Sequence, residues 1–310
     1  MALHRLTHVT LGVPDVAATA EYYTDFGLAP GGSAVAGGAT FASRDGGDQL
    51  TLGPSARRRM VELRVGVDDP DDLDRIATRL DRLGLTPRRA GETVTVTAPA
   101  VDVGVVVEIA PRIDQPPAEE ATVNGPGRLT RANARAAAVI REGPVQPRKL
   151  GHVVLGSTDQ MATQRFLTEG LGFKVSDEVP GMAAFMRCST DHHNVLVLAA
   201  PVSFVHHTAW EVDDIDDIGR GATAMLAKDP ARHVWGLGRH HIGSNFFWYL
   251  KDPAGNFSEY YSDLDCIVDD ALWKPEVFEG ARGLFNWGPP PPPSFLEPED
   301  LGALMTAAHR

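Results

Sequence analysis

Gly151-His152-Val153-Val154-Leu155-Gly156 echoes Thr7-His8-Val9-Thr10-Leu11-Gly12, 144 residues earlier. Both read as strands, with branched apolar residues and a histidine near the start. The likeness extends outward. Asp15 to Phe26-Gly27-Leu28 is answered by Asp159 to Leu171-Gly172-Phe173, each an aspartate N-cap, a helical run and a glycine stop. Glu62-Leu63-Arg64-Val65-Gly66-Val67-Asp68-Asp69 is answered by His207-Thr208-Ala209-Trp210-Glu211-Val212-Asp213-Asp214, at an offset of 145. At the closing strands Glu108 is expected to answer Glu259, an offset of 151. Each half runs strand, helix, strands, then strand, helix, strands. A repeat of this length predicts two related domains of α+β class, with helices on one face of curved, mostly antiparallel sheets.

A second helix is expected over Leu73 to Leu83, after Asp68-Asp69-Pro70. The expected boundaries are an N-terminal repeat domain over 1–110, a linker over 111–148, a second domain over 149–265 and a tail over 266–310. The linker is rich in proline and arginine, with a helix expected at Leu129–Ile140. The tail carries Trp273, Phe278, Phe285, Trp287 and five prolines at 289 to 293. It reads as a strap whose aromatics pack on the domain and cover a site, with a partner-binding proline motif as the other reading.

The composition excludes several classes. Twenty-nine basic against 41 acidic residues give a net charge of −12 over 310 residues. That balance argues against nucleic acid and offers no basic surface to anionic lipid. No apolar run reaches the length of a membrane span, and the opening residues have no signal-like core. Two cysteines are too few for a disulfide framework. A cytoplasmic protein is expected.

The chemistry concentrates late. Gly238 to Tyr261 reads as a strand from Asn245 to Lys251, a turn at Asp252-Pro253-Ala254-Gly255, and a strand from Asn256 to Tyr261. Glu259 stands among strand aromatics, where a carboxylate is costly to bury without a cation or metal. It could instead face solvent, and a lone strand histidine is commonly only a core residue. The repeat favours the metal reading. His152, His207 and Glu259 sit at corresponding places on three strands facing one concavity. Two imidazoles and a carboxylate suit a facial Fe(II) site with positions left open.

These residues resemble the type I extradiol ring-cleavage dioxygenases of the vicinal oxygen chelate superfamily. The resemblance covers nearly the whole chain and is sharpest at Leu150-Gly151-His152-Val153 and at Asp191-His192-His193-Asn194 leading to Val205-His206-His207. It implies four βαβββ modules paired into two domains, each around a cavity, the second catalytic. It implies that His152, His207 and Glu259 hold Fe(II), with Mn(II) as the alternative. His206 is then the non-ligand neighbour, turned to the other face by strand alternation. His193, on a neighbouring strand, matches the acid/base histidine, with His192 as its competitor, since a one-residue slip exchanges their faces. Tyr249 and His240 match pocket residues that would hydrogen-bond a developing oxyanion. The implied partners are a catechol-type substrate, O₂ and further copies of the chain in a homo-oligomer. No arginine clearly answers those that grip a substrate carboxylate; Arg187, Arg239 and Arg282 are candidates by proximity in sequence.

Other reactions on this architecture stay open: cleavage of hydroquinones or trihydroxybenzenes, a glyoxalase-like isomerisation, and ligand binding without catalysis. In the N-terminal half His8, Glu62 and Glu108 occupy the expected ligand places. They could bind a second divalent metal, or the carboxylates could pair with Arg57-Arg58-Arg59.

Overall fold

The structure, a computed structural model, describes residues 2–32, 36–279 and 283–308. Its first half contains β1 (Leu3–Val13), α1 (Val16–Asp25), β2 (Ala29–Pro30), β3 (Ala39–Ser43), β4 (Gly47–Pro54), β5 (Arg59–Val67), α2 (Pro70–Arg82), β6 (Arg88–Ala90), β7 (Thr93–Ala98) and β8 (Val103–Ile109). After a connection holding only the short α3 (Ala137–Ile140), the order recurs. It runs β9 (Lys149–Ser157), α4 (Gln160–Arg165) continuing into a π-helical turn at Phe166–Leu171, β10 (Lys174–Val179), β11 (Ala183–Arg187) and β12 (Val195–Ala199). Then come β13 (Phe204–Glu211), α5 (Ile215–Lys228), β14 (His233–Arg239), β15 (Phe246–Lys251) and β16 (Phe257–Ser262). The tail holds α6 (Pro293–Leu296) and α7 (Leu301–Ala308). Four βαβββ modules are thus paired, as expected.

Each half is one curved eight-stranded sheet. The orders are β2-β3-β4-β1-β5-β8-β7-β6 and β10-β11-β12-β9-β13-β16-β15-β14, so every strand has its counterpart eight places later. The central strands pair in parallel at β5–β8 and β13–β16, and antiparallel at β1–β5 and β9–β13. Buried at every position, β16 mixes Phe257, Tyr260 and Tyr261 with Ser258, Glu259 and Ser262, so its sequence shows no clean alternation.

Local chemistry sets the helices. Asp15, Asp69, Asp159 and Asp214 each accept a backbone N–H in the first turn of the following helix. One large apolar core runs through both halves. The end of α1 meets β16 through a stack of Phe26 on Tyr260, with ring centroids 3.9 Å apart, and through the Tyr260 hydroxyl donating to the Phe26 carbonyl at 2.7 Å. The expected helix at Leu129–Ile140 shrinks to its last four residues. Asn124 accepts the Arg131 N–H on its side chain, and Asn133 adopts φ +58°, so the chain there is held in turns. No helix among the described residues is long and apolar enough to cross a membrane.

Gly27 ends α1 at φ +95°, and a Cβ placed there would lie 2.0 Å from the Val145 carbonyl oxygen. Gly27→Ala is expected to lower the unfolding free energy by about 1–3 kcal/mol from backbone strain alone. The denaturant midpoint measures it.

Candidate metal centre

Register explains how three distant residues converge. Ala209 on β13 pairs with His152 on β9 and also with Glu259 on β16. His207 lies two residues before Ala209, on the same face. The small Ala209 side chain leaves room between the three functional groups. His152 Nε2 lies 3.0 Å and His207 Nε2 3.4 Å from the same carboxylate oxygen of Glu259. One ligand atom from each lies within 4.8 Å of the others, the one such cluster among the described residues.

Glu259 is fully buried, and its ion-pair partners among the described residues are all imidazoles. Burial pushes its carboxyl up, but the facing His152 and His207 rings outweigh this and hold it well below the usual range. Asn245 Nδ2 donates to its other oxygen at 3.1 Å. Burial holds the His207 imidazole down to about 4 and so keeps it neutral.

His206 departs from expectation. Strand alternation should turn it away, but a β-bulge between Val205 and His207 breaks the alternation. Both rings therefore line the same cavity. His206 Nε2 lies 2.6 Å from the Phe295 carbonyl and its Nδ1 lies 2.8 Å from His207 Nδ1. A carbonyl only accepts, so His206 carries its hydrogen on Nε2 and presents a bare Nδ1. His207 then donates from Nδ1, and its Nε2 lone pair faces Glu259. A buried carboxylate without a cation, a second imidazole at 3.0 Å and a lone pair held toward both fit a divalent ion.

His193 and His192 separate clearly. His193 lines the cavity and lies against His152, with ring centroids 4.3 Å apart. It stands in the turn before β12 rather than on a strand. His192 points away and pairs with Asp177 at 2.9 Å. Burial, then the surrounding imidazoles, hold His193 far below its ordinary pKa. Tyr249 and His240 are joined at 2.9 Å beside Glu259, and burial pushes the Tyr249 hydroxyl well up.

The cavity above the cluster has a volume of about 130 Å³. Its histidine and tyrosine floor faces walls from Val154, Phe185, Leu196, Leu198 and Ile242. The tail supplies Leu284, Phe295 and Leu296 as the remaining wall. Trp235 Nε1 donates to the Pro289 carbonyl, and Arg58 from the N-terminal half forms a two-point ion pair with Asp300. A larger cleft of about 600 Å³, between Arg57–Met60 and Pro201–Val205, contains none of these imidazoles and no carboxylate of the cluster.

The N-terminal trio is not arranged alike. Arg64 pairs with His8 and with Val106, so Val106, not Glu108, answers Glu259; Glu108 pairs with Gly66 and answers Tyr261. The expected equivalence was two residues out of register. Arg64 bridges Glu62 at 2.6 Å and Glu108 at 3.0 Å, while His8 bonds Asp48 and Thr51. The carboxylates are paired by Arg64, not by Arg57-Arg58-Arg59.

Paired βαβββ modules with one two-histidine, one-carboxylate cluster define a metal-site protein of the vicinal oxygen chelate architecture. Residues 149–260 match the family described as Glyoxalase/Bleomycin resistance protein/Dioxygenase superfamily. Metapyrocatechase 2 of Cupriavidus necator is 31% identical over 308 residues, covering 95% of this chain and 92% of that protein. The manganese-dependent 2,3-dihydroxybiphenyl 1,2-dioxygenase of Geobacillus genomosp. 3 is 26% identical, covering 77% and 79%. The crystal structure of the Mn(II)-bound glyoxalase from Novosphingobium aromaticivorans superposes with a TM-score of 0.74 at 26% identity, covering 93% and 91%. The chain belongs to the extradiol ring-cleavage dioxygenases of this superfamily.

His206→Leu is expected to weaken divalent-metal affinity about 10–100-fold by releasing His207. His206→Gln, which can both accept and donate, should retain most of it. Titration of the metal-free protein with Fe(II) under anaerobic conditions checks both.

Proposed function

We propose that this chain inserts both atoms of O₂ into a catechol-type ring beside one hydroxylated carbon, opening the ring to a muconic semialdehyde-type product. The observation that carries this is the convergence of two imidazoles and a buried carboxylate beneath an apolar cavity sized for an aromatic ring. An apolar cavity of about 150 Å³ admits benzene, close to the volume of about 130 Å³ found here.

His152, His207 and Glu259 would hold the ion, Fe(II) by this donor set, with Mn(II) as the alternative. When bound, the ion lowers the pKa of a ligated hydroxyl and brings substrate and O₂ side by side. The remaining work falls to the chain itself. His193, neutral because it is buried, accepts a hydroxyl proton from the substrate and later returns it. Tyr249 and His240, already joined to each other, donate toward the oxyanion that develops on the ring oxygen. The apolar walls exclude water. Residues 149–265 form the catalytic domain in this reading, residues 1–110 a non-catalytic scaffold, and the tail a strap over the cavity.

The described lining favours a substrate without an anionic side chain. No lysine or arginine among the described residues lines the cavity. Arg187 is engaged by Ser176 and Asp270, and Arg239 by Asp263. Arg282 lies outside the described residues.

Oxygen uptake with a panel of catechols, carboxylated catechols and hydroquinones tests the proposal. Uptake with a yellow product is expected from catechols with apolar or no substituents, and uptake with hydroquinones alone would overturn it. His193→Phe should retain iron, read by elemental analysis, while losing about 10²–10⁴-fold in kcat. Unchanged turnover in that variant would remove His193 from its role. His207→Ala should lose the metal altogether.

A further inference from the structure

Asp177 and His192 have no part in the chemistry described above, yet both are buried beside the cavity. His192 Nε2 lies 2.9 Å from Asp177 Oδ2, and His192 Nδ1 lies 3.1 Å from His193 Nδ1. The tail holds this pair from outside. The Glu276 N–H donates to Asp177 Oδ1 at 2.7 Å, and the Trp273 ring packs edge-on against His192 at 5.3 Å. Phe185 meets both imidazoles from the cavity side.

The donors can be assigned along this chain. A carboxylate accepts, so with a single ring hydrogen His192 carries it on Nε2. Its Nδ1 is then bare and can only accept. The hydrogen between the two rings must come from His193 Nδ1. The other nitrogen of His193, Nε2, is left without a hydrogen and makes no hydrogen bond among the described residues. It is the nitrogen free to serve the cavity that His193 lines.

We propose that Asp177 and His192 are positioning residues that fix His193 in the tautomer with a bare Nε2 toward the substrate. The inference rests on the acid/base role given to His193 above. It also supplies a route for the proton. When Nε2 takes a proton from the substrate hydroxyl, the Nδ1 proton of His193 passes to Nδ1 of His192. The positive charge then lies opposite the Asp177 carboxylate rather than beside the metal ligands. The reverse transfer restores both rings and returns one proton to the product. No proton is gained or lost over the cycle.

His192→Phe and His192→Gln test this in the metal-loaded full-length protein. The glutamine amide can accept from His193 Nδ1 and donate to Asp177; phenylalanine can do neither. His192→Phe is expected to lower kcat about 10–100-fold, part of the general acid–base contribution, with KM for catechol and metal content nearly unchanged. His192→Gln, which holds the tautomer but cannot take the proton, should recover only the positioning part of the loss. Nitrogen-15 spectra of the histidine-labelled, Zn(II)-loaded protein should show His193 protonated on Nδ1 in the parent and in His192→Gln. That signature should vanish in His192→Phe. Parent-like kcat in His192→Phe, or a parent His193 protonated on Nε2, would overturn the proposal. If the phenylalanine variant does not fold, the parent spectrum and the glutamine variant still decide. If the parent cleaves no catechol, the dioxygenase reading fails while the spectra still settle the tautomer.

Discussion

The structure depends on one carboxylate that water cannot reach. Glu259 is wholly buried on a central strand, with imidazoles but no lysine or arginine in ion-pair range among the described residues. Burying such a charge alone costs several kcal/mol even after the protein relaxes, roughly the scale for an unpaired ion in an interior. The fold meets this cost by topology. Strands β9, β13 and β16 are immediate neighbours, although more than fifty residues of chain separate His152 from His207. The two outer strands present His152 and Glu259 on either side of Ala209, and the middle strand adds His207. An incoming cation completes the electrostatics that the sheet leaves open.

Around that centre the chain uses adjacent histidine pairs twice. His192-His193 and His206-His207 are each joined through Nδ1, and the first ring of each is held at Nε2 by an oxygen acceptor. In both, the acceptor fixes the first ring and the first ring fixes the second. The tail touches both arrangements, through Glu276 at Asp177 and through the Phe295 carbonyl at His206. The segment that walls the cavity therefore also sets hydrogen positions inside it.

Much of this was legible in the sequence because duplication fixes register. The echo of Thr7–Gly12 in Gly151–Gly156 located β1 and β9, and the helix caps at Asp15 and Asp159 followed. His152 and His207 could be picked from their places in that echo, whereas Glu259 stood out as a carboxylate among strand aromatics. The misreadings came where strand spacing is irregular. A bulge at Val205/His207 keeps His206 at the cavity, and periodicity cannot reveal an extra residue. Extra residues before β16 moved the counterpart of Glu259 from Glu108 to Val106. Asp177 gave no signal, because its importance lies in a contact with His192 across the sheet and with a backbone N–H of the tail. The resemblance to extradiol dioxygenases preferred His193 over His192; in the structure His193 lines the cavity and His192 faces a carboxylate.

The N-terminal sheet pairs its partly buried carboxylates with its own side chain. Arg64, the counterpart of Ala209, reaches between Glu62 and Glu108, a built-in cation where the second sheet calls for an imported one. One half of the molecule is therefore electrically self-sufficient and the other is conditional. Stripping the ion should loosen the two halves unequally, leaving the first sheet as a stable template against which the second is held. A duplicated fold in this way separates the task of staying folded from the task of holding a reactive ion.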